Sequence, residues 1–120
     1  DVILRSDDIF SYDEKIKNGT FLGFEEIIKE IIVIDKNSKK FNLKNKIVCI
    51  ENADPGYDFL FSYKIKGLIT KYGGVNSHMA IRCNELGIAA AIGVGEKIFS
   101  NLINSNKVQL NCQNKILKIL

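Results

Sequence analysis

The stretch Thr70-Lys71-Tyr72-Gly73-Gly74-Val75-Asn76-Ser77-His78 decides how this chain is expected to fold. Leu68-Ile69-Thr70 is rich in β-formers and preceded by Gly67, which predicts a strand. Gly73-Gly74 predicts a tight turn, because two residues without a Cβ let the backbone reverse at little steric cost. Asn76 or Ser77 then caps a helix running to about Leu86, with Gly87 as its stop. His78 is the single histidine of the chain and falls in the first turn of that helix.

Outward from this stretch, strands and short helices alternate. Residues 46–51 form a short β-rich strand, residues 52–56 a loop around the only proline, Pro55, and residues 58–64 a short helix. Farther upstream, Phe21, Phe24, Ile27, Ile28, Ile31, Ile32, Val33 and Ile34 are apolar. Phe24, Ile27, Ile28 and Ile31 fit helical spacing, whereas Ile31 to Ile34 fit a buried β run equally well; we read residues 20–35 as strand. Residues 36–40 are a polar turn. The first eighteen residues mix charged and apolar character and end at the turn signal Asn18-Gly19, as a linker or leader would, which leaves 19–120 as the domain. A start without Met fits a piece of a longer protein. Downstream, residues 89–92 are a brief strand and 96–103 a second helix. Residues 107–110 and 115–119 form a closing hairpin around 111–114. The pattern is that of a mixed α/β domain.

A length of 120 residues fits one domain and excludes a self-contained ATP-driven enzyme with separate nucleotide and acceptor domains. A composition that is 46% apolar with one proline describes a folded chain that buries roughly two-thirds of its surface. No apolar run approaches the roughly 20 residues that span a bilayer, and no secretory signal opens the chain. Seventeen basic residues against fourteen acidic ones give a net charge of +3. The lysines are scattered rather than gathered into a stripe with aromatics, so they read as a solvated surface and not a nucleic-acid footprint. Cys49, Cys83 and Cys112 are odd in number and form no CxxC pair. They read as small buried apolar residues in a reducing, cytoplasmic setting, with too few histidines beside them for a metal site.

The chemistry is concentrated around His78. The unpaired N–H groups of a first helical turn face an incoming anion, and the helix dipole favours negative charge there by about 0.3–1 kcal/mol. A neutral imidazole nitrogen is a nucleophile, and nothing bulky beside Gly73 and Gly74 covers it. The Ser77 hydroxyl and Asn76 amide can hydrogen-bond a phosphate or the other ring nitrogen. Arg82 follows one turn later on the same helical face, where its guanidinium can reach a phosphoryl group on the ring. Thr70, Gly73, Gly74, Asn76, Ser77 and Arg82 are therefore the candidate supporting residues. Met79, Cys83 and Leu86 lie at core spacing on the opposite face, with Ala80 and Gly87 permitting close packing. Taken singly, each feature has a plain explanation: a histidine at a helix start is most often a cap or surface residue, and a glycine pair is most often a turn. Their conjunction carries the anion-site reading. Gly93-Val94-Gly95 begins like a dinucleotide fingerprint, but Ile98 stands at the third glycine position and the acidic partner is missing.

Gly73-Gly74-Val75-Asn76-Ser77-His78-Met79-Ala80-Ile81, followed by Glu85-Leu86-Gly87-Ile88 and Ile92-Gly93-Val94-Gly95, resembles the mobile phosphohistidine domain of the PEP-utilising enzymes. These include pyruvate phosphate dikinase, PEP synthase and rifampin phosphotransferase. The resemblance implies a swivelling β/β/α phosphohistidine domain, with His78 as the catalytic phosphocarrier. It implies that His78 is loaded from ATP at an ATP-grasp domain of the same parent chain, where ATP and Mg bind, and unloads at an acceptor-substrate domain. It implies no cofactor or metal in this domain and neither a nucleic-acid nor a membrane partner. The chain departs from the family pattern at Asn76, often Thr; at Cys83-Asn84, often Ala-Arg; and at Ala89, often Pro. Arg82 is the candidate replacement for the missing arginine. The spelling Asn-Ser-His-Met-Ala-Ile-Arg-Cys is similar to the L-glutamine kinase branch, whose acceptor is an amide in capsule biosynthesis. Pyruvate-type or rifampin-type acceptors, or an anion-binding or docking module without covalent chemistry, are the alternatives.

Overall fold

The computed structural model describes residues 20–23, 26–35, 42–74 and 76–120. The expected leader over 1–18, the polar turn over 36–40 and Phe24 lie outside the described residues. The elements in chain order are β1 (Thr20–Leu22), β2 (Glu26–Val33), β3 (Ile47–Asn52), a 3₁₀ helix (Pro55–Tyr63) and β4 (Gly67–Tyr72). They continue with α1 (His78–Leu86), β5 (Ala89–Ile92), α2 (Glu96–Leu102), β6 (Lys107–Asn111) and β7 (Ile116–Ile119).

The strands hydrogen-bond in the order β1-β5-β4-β3-β2-β6-β7. Strands β2, β3, β4 and β5 run parallel, with β1 antiparallel on β5 and the β6–β7 hairpin antiparallel on β2. Side chains alternate along a strand, so a strand buried on both faces reads as a continuous apolar run. That is why β3 and β5 lack a polar face. Ile47, Cys49, Ile69, Ala89 and Ala91 join one core, while Val48, Ile50, Leu68, Ala90 and Ile92 join the other. The first core is closed by Ile98, Phe99 and Leu102 of α2 and by Val108, Leu110, Leu117 and Ile119 of the hairpin. The second is closed by Tyr57 and Leu60 of the 3₁₀ helix and by Met79, Ala80 and Cys83 of α1. The eight-residue β2 pairs with β6 over its first five residues and with β3 over its last three, so the sheet curls and the hairpin covers one face of the central strands. The result is a mixed α/β domain of β/β/α layers, the class expected from the sequence.

Three expectations shift. The apolar segment 20–35 is two strands and not one. Gly23, at φ +93°, breaks it, and β1 crosses to the β5 side while β2 joins β3. The helix expected over 58–64 is a 3₁₀ helix that starts earlier, at Pro55. Asp54 caps it by accepting the Gly56 N–H at 2.8 Å, and the fixed φ of proline suits a first helical position. Leu86, expected in the core beside Met79 and Cys83, is 48% exposed. The helix ends one residue later at Gly87, and Ile88 packs against that core from beyond the turn. The three cysteines are buried and unbridged, and burial pushes the thiols of Cys49 and Cys83 up to about 12.

The ends of β4 and β5 are joined at a backbone crossing. Gly93 and Val94 donate their N–H groups to the Thr70 carbonyl, each at 3.0 Å, and Gly95 donates to Lys71 at 3.0 Å. Gly93 has φ +74°, and a Cβ there would collide with the Gly73 carbonyl oxygen. This close approach is what Gly93 is for, whereas Gly95 supplies a positive φ of +93° with open space where a Cβ would stand. Gly93→Ala is expected to cost about 2–4 kcal/mol, from backbone collision and positive φ together. Gly74→Ala, where a Cβ meets nothing within 4 Å, is expected to stay within about 1 kcal/mol. Urea unfolding of both variants checks the contrast.

Candidate functional site

Three parallel strands end on the same edge, and the segments that leave them assemble there. The 3₁₀ helix comes after β3, the glycine turn after β4, and Gly93 to Gly95 after β5. In open parallel sheets, the crevice beyond the carboxyl ends of the strands is where ligands bind.

Gly73, at φ +133°, turns the chain out of β4, and a Cβ there would lie 2.6 Å from that of Ala53. Ser77 rather than Asn76 is the cap. Its backbone is extended at φ −68° and ψ 155°, and its hydroxyl accepts the Ala80 N–H at 3.4 Å. The same hydroxyl donates to the Gly74 carbonyl at 2.7 Å, and the Ser77 N–H reaches that carbonyl at 3.0 Å. One side chain thus locks the glycine turn to the helix start. His78 is the first helical residue, and 39% of its side chain is exposed. At the far end, Gly87 takes the left-handed conformation and its N–H returns to the Cys83 carbonyl.

The imidazole meets a residue that local spacing does not reveal. His78 Nε2, the ring nitrogen remote from the backbone, lies 3.0 Å from Asp58 Oδ1. The same carboxylate oxygen accepts from Arg82 Nε at 3.3 Å. Arg82 also reaches Glu85 Oε1 from Nη1 at 3.6 Å, and its guanidinium carbon sits 5.4 Å from the Phe61 ring centroid. The hydrogen bond from His78, with Arg82 adding to it, holds the Asp58 carboxyl below its ordinary value. Asp58 is therefore ionised at neutral pH and can only accept, so Nε2 carries a proton in this contact.

The structure brings Gly73, Gly74, Asn76, Ser77, His78 and Arg82 together at the start of α1. Asn76 is exposed there, and the hydroxyl of Ser77 is engaged in the cap. Thr70 is wholly buried in β4, and its hydroxyl accepts the Gly93 N–H at 2.9 Å. It supports the strand crossing that positions the turn. Asp58 and Phe61 are the residues that the sequence reading missed. Asp58 is 20 residues from His78, and only the parallel pairing of β3 with β4 brings their following segments to one edge. A parallel strand pair flanking the proline loop was the available signal. Among the described residues, no group of three His, Cys, Asp or Glu side chains is placed to hold a metal ion. Among them, too, no helix is long and apolar enough to cross a membrane.

A capped helix that presents an exposed imidazole and a paired guanidinium beyond the carboxyl ends of parallel strands defines an α/β domain with its one histidine at the ligand-accessible edge of the sheet. The sequence profile of the PEP-utilising enzyme, mobile domain, matches residues 41–115, well over half of the chain, and the chain belongs to that family. Such a domain fits a phosphohistidine carrier in phosphotransferase enzymes and works with other domains of its parent. No curated protein matches the chain.

The Asp58 contact has a definite pH dependence. A carboxyl whose pKa is lowered in the folded state contributes stability above its unfolded value of about 3.9, and that contribution is lost as pH falls through the folded value. Wild type is expected to unfold at higher urea than Asp58→Asn at pH about 5, with the two midpoints converging below about pH 3. A gap that did not change with pH would show that the carboxylate charge is not what the contact uses.

Proposed function

We propose that His78 is a phosphocarrier. It takes a phosphoryl group from ATP at an ATP-grasp domain of the parent and hands it to an acceptor bound elsewhere. The observation that carries this reading is the part-exposed imidazole at a capped helix start, whose Nε2 meets the same Asp58 oxygen that Arg82 Nε reaches one helical turn on. Transfer of a phosphoryl group depends on in-line placement and charge stabilisation, and a carrier histidine divides one difficult transfer into two easier ones. The Nε2 lone pair forms the N–P bond as the bond from phosphorus to the nucleotide's leaving oxygen breaks, with the electron pair departing on that oxygen. ATP and Mg bind the nucleotide domain in this reading, and this domain supplies no cofactor. The acceptor we propose is the side-chain amide of L-glutamine, in a cytoplasmic enzyme of capsule biosynthesis; its support is the spelling of residues 76–83. Incubation of the full-length protein with ATP is expected to place an acid-labile, base-stable phosphoryl label on His78. Full turnover by His78→Ala would overturn the carrier role, as would a phosphate-dependent shift of the His78 resonances with no adduct formed during turnover.

Arg82 is assigned the charge of the carried group. A phosphoryl group adds about two negative charges, and the guanidinium one turn along is held in place at Nη1 by Glu85 and over the Phe61 ring. Charge-assisted hydrogen bonds are worth about 1.5–3 kcal/mol, or one to two orders of magnitude in rate when made chiefly in the transition state. Arg82→Ala is expected to slow single-turnover phosphorylation roughly 10–100-fold with little loss of stability. Lys at this position should restore the rate only in part, since it lacks the planar fork. A rate within about twofold of wild type would assign Arg82 to the solvated surface.

A further inference from the structure

The carboxylate of Asp58 stands at the nitrogen that the carrier reading requires to be free. Oδ1 lies 3.0 Å from Nε2, within hydrogen-bond range, so a phosphorus atom bonded to Nε2 would have to occupy the space Asp58 now fills. An ionised carboxylate and a phosphoryl group are also alike in what they want. Both are anionic acceptors, and both would take the N–H of Arg82 Nε, which Asp58 holds at 3.3 Å.

We propose that Asp58 is a displaceable gate on His78, a stand-in for the phosphoryl group that keeps Nε2 protonated and Arg82 oriented until a donor arrives. The proposal rests on the carrier reading and gives the resting site a defined state. With Asp58 in place, the neutral ring is the Nε2–H tautomer, whose lone pair is on Nδ1 and points away from the carboxylate. For transfer, Asp58 withdraws and the ring proton relocates to Nδ1 through water. Nε2 then attacks phosphorus, the donor's leaving group departs with its electron pair, and the Nδ1 proton returns to solvent. The guanidinium need not move, because Glu85 and the Phe61 ring retain it while Nε is released to the new anion. Withdrawal is inexpensive for a side chain that is 48% exposed on a short 3₁₀ segment, where ion pairs are weak. Charge does the rest, since two anions cannot share one site without strong repulsion.

The single histidine makes the ring directly observable in the 120-residue chain by ¹⁵N NMR. In alkaline buffer, wild type is expected to show the Nε2–H tautomer. Asp58→Ala should move it toward the Nδ1–H form, and Asp58→Asn, whose amide oxygen accepts more weakly, should lie between. With phosphoramidate as a small diffusible donor, phosphorylation at Nε2 is expected to be about tenfold faster in Asp58→Ala than in wild type, with Asp58→Asn intermediate. On phosphorylation of wild type, the Asp58 carboxyl carbon and Arg82 Nε resonances should both shift. A purely structural role for Asp58 would leave the tautomer unchanged. The gate is overturned if wild type already holds the Nδ1–H tautomer, if Asp58→Ala reacts within twofold of wild type, or if phosphorus attaches at Nδ1 while the Asp58 contact persists. Failure of the carrier reading would look different: no label on His78 from ATP in the full-length protein, with the tautomer order and the phosphoramidate rates of the three proteins still as the gate requires.

Discussion

Everything at the site hangs from the crossing of two strand ends, where the backbone of Gly93 lies against the carbonyl of Gly73 too closely for any Cβ to intervene. Thr70 closes the crossing from below, its hydroxyl and carbonyl both accepting the Gly93 N–H. With β4 and β5 joined there, the turn at Gly73-Gly74 leaves the sheet in one direction, and Ser77 locks that direction to the axis of α1. The backbone of His78 is thereby placed by the turn and its hydrogen bonds, and Asp58 orients the ring that it carries. Helix α1 is kept at this angle by Met79, Ala80 and Cys83, which are buried against β3, β4 and β5. Deleting a buried methyl-rich side chain from such a layer costs about 2–5 kcal/mol, several times what a surface ion pair contributes.

That difference in magnitude separates the scaffold from the chemistry. The layers beneath His78 are apolar and closely packed on both faces of the sheet. Asp58, Arg82 and Glu85 are instead a chain of partly exposed ions whose contacts each contribute little to stability. A group that must be gained and lost in each catalytic cycle is well served by contacts of that kind. Strong buried partners would hold the ring in one state, whereas weak exposed ones orient it and can be exchanged, which is what the proposed carrier role requires.

The sequence was most legible where short-range chemistry governs. The β4 strand, the glycine turn, the capped start at Ser77 and the left-handed stop at Gly87 are each written in a few adjacent residues, and His78 stands out because it has no rival. The apolar segment 20–35 was half legible. Its β character is clear, but the break at Gly23 and the separation of β1 from β2 by three strands follow from tertiary pairing that periodicity does not encode. Leu86 kept the spacing of a core residue and missed the core because the helix ended beneath it. Thr70 reads as part of the anion-facing stretch, yet burial turns its hydroxyl inward to Gly93. Asp58 was invisible because the parallel pairing of β3 with β4 brings residues far apart in the chain to one edge, and no local pattern marks the pair.

Residue-specific mass spectrometry of the donor-loaded full-length protein, digested and kept at alkaline pH, tests the central claim most directly. The account predicts a phosphoryl group on the peptide containing His78, removed by brief acid treatment and absent from His78→Ala. A stable phosphoryl group on a serine or threonine instead, or an unmodified His78 peptide under conditions in which the protein turns over its donor, would contradict it.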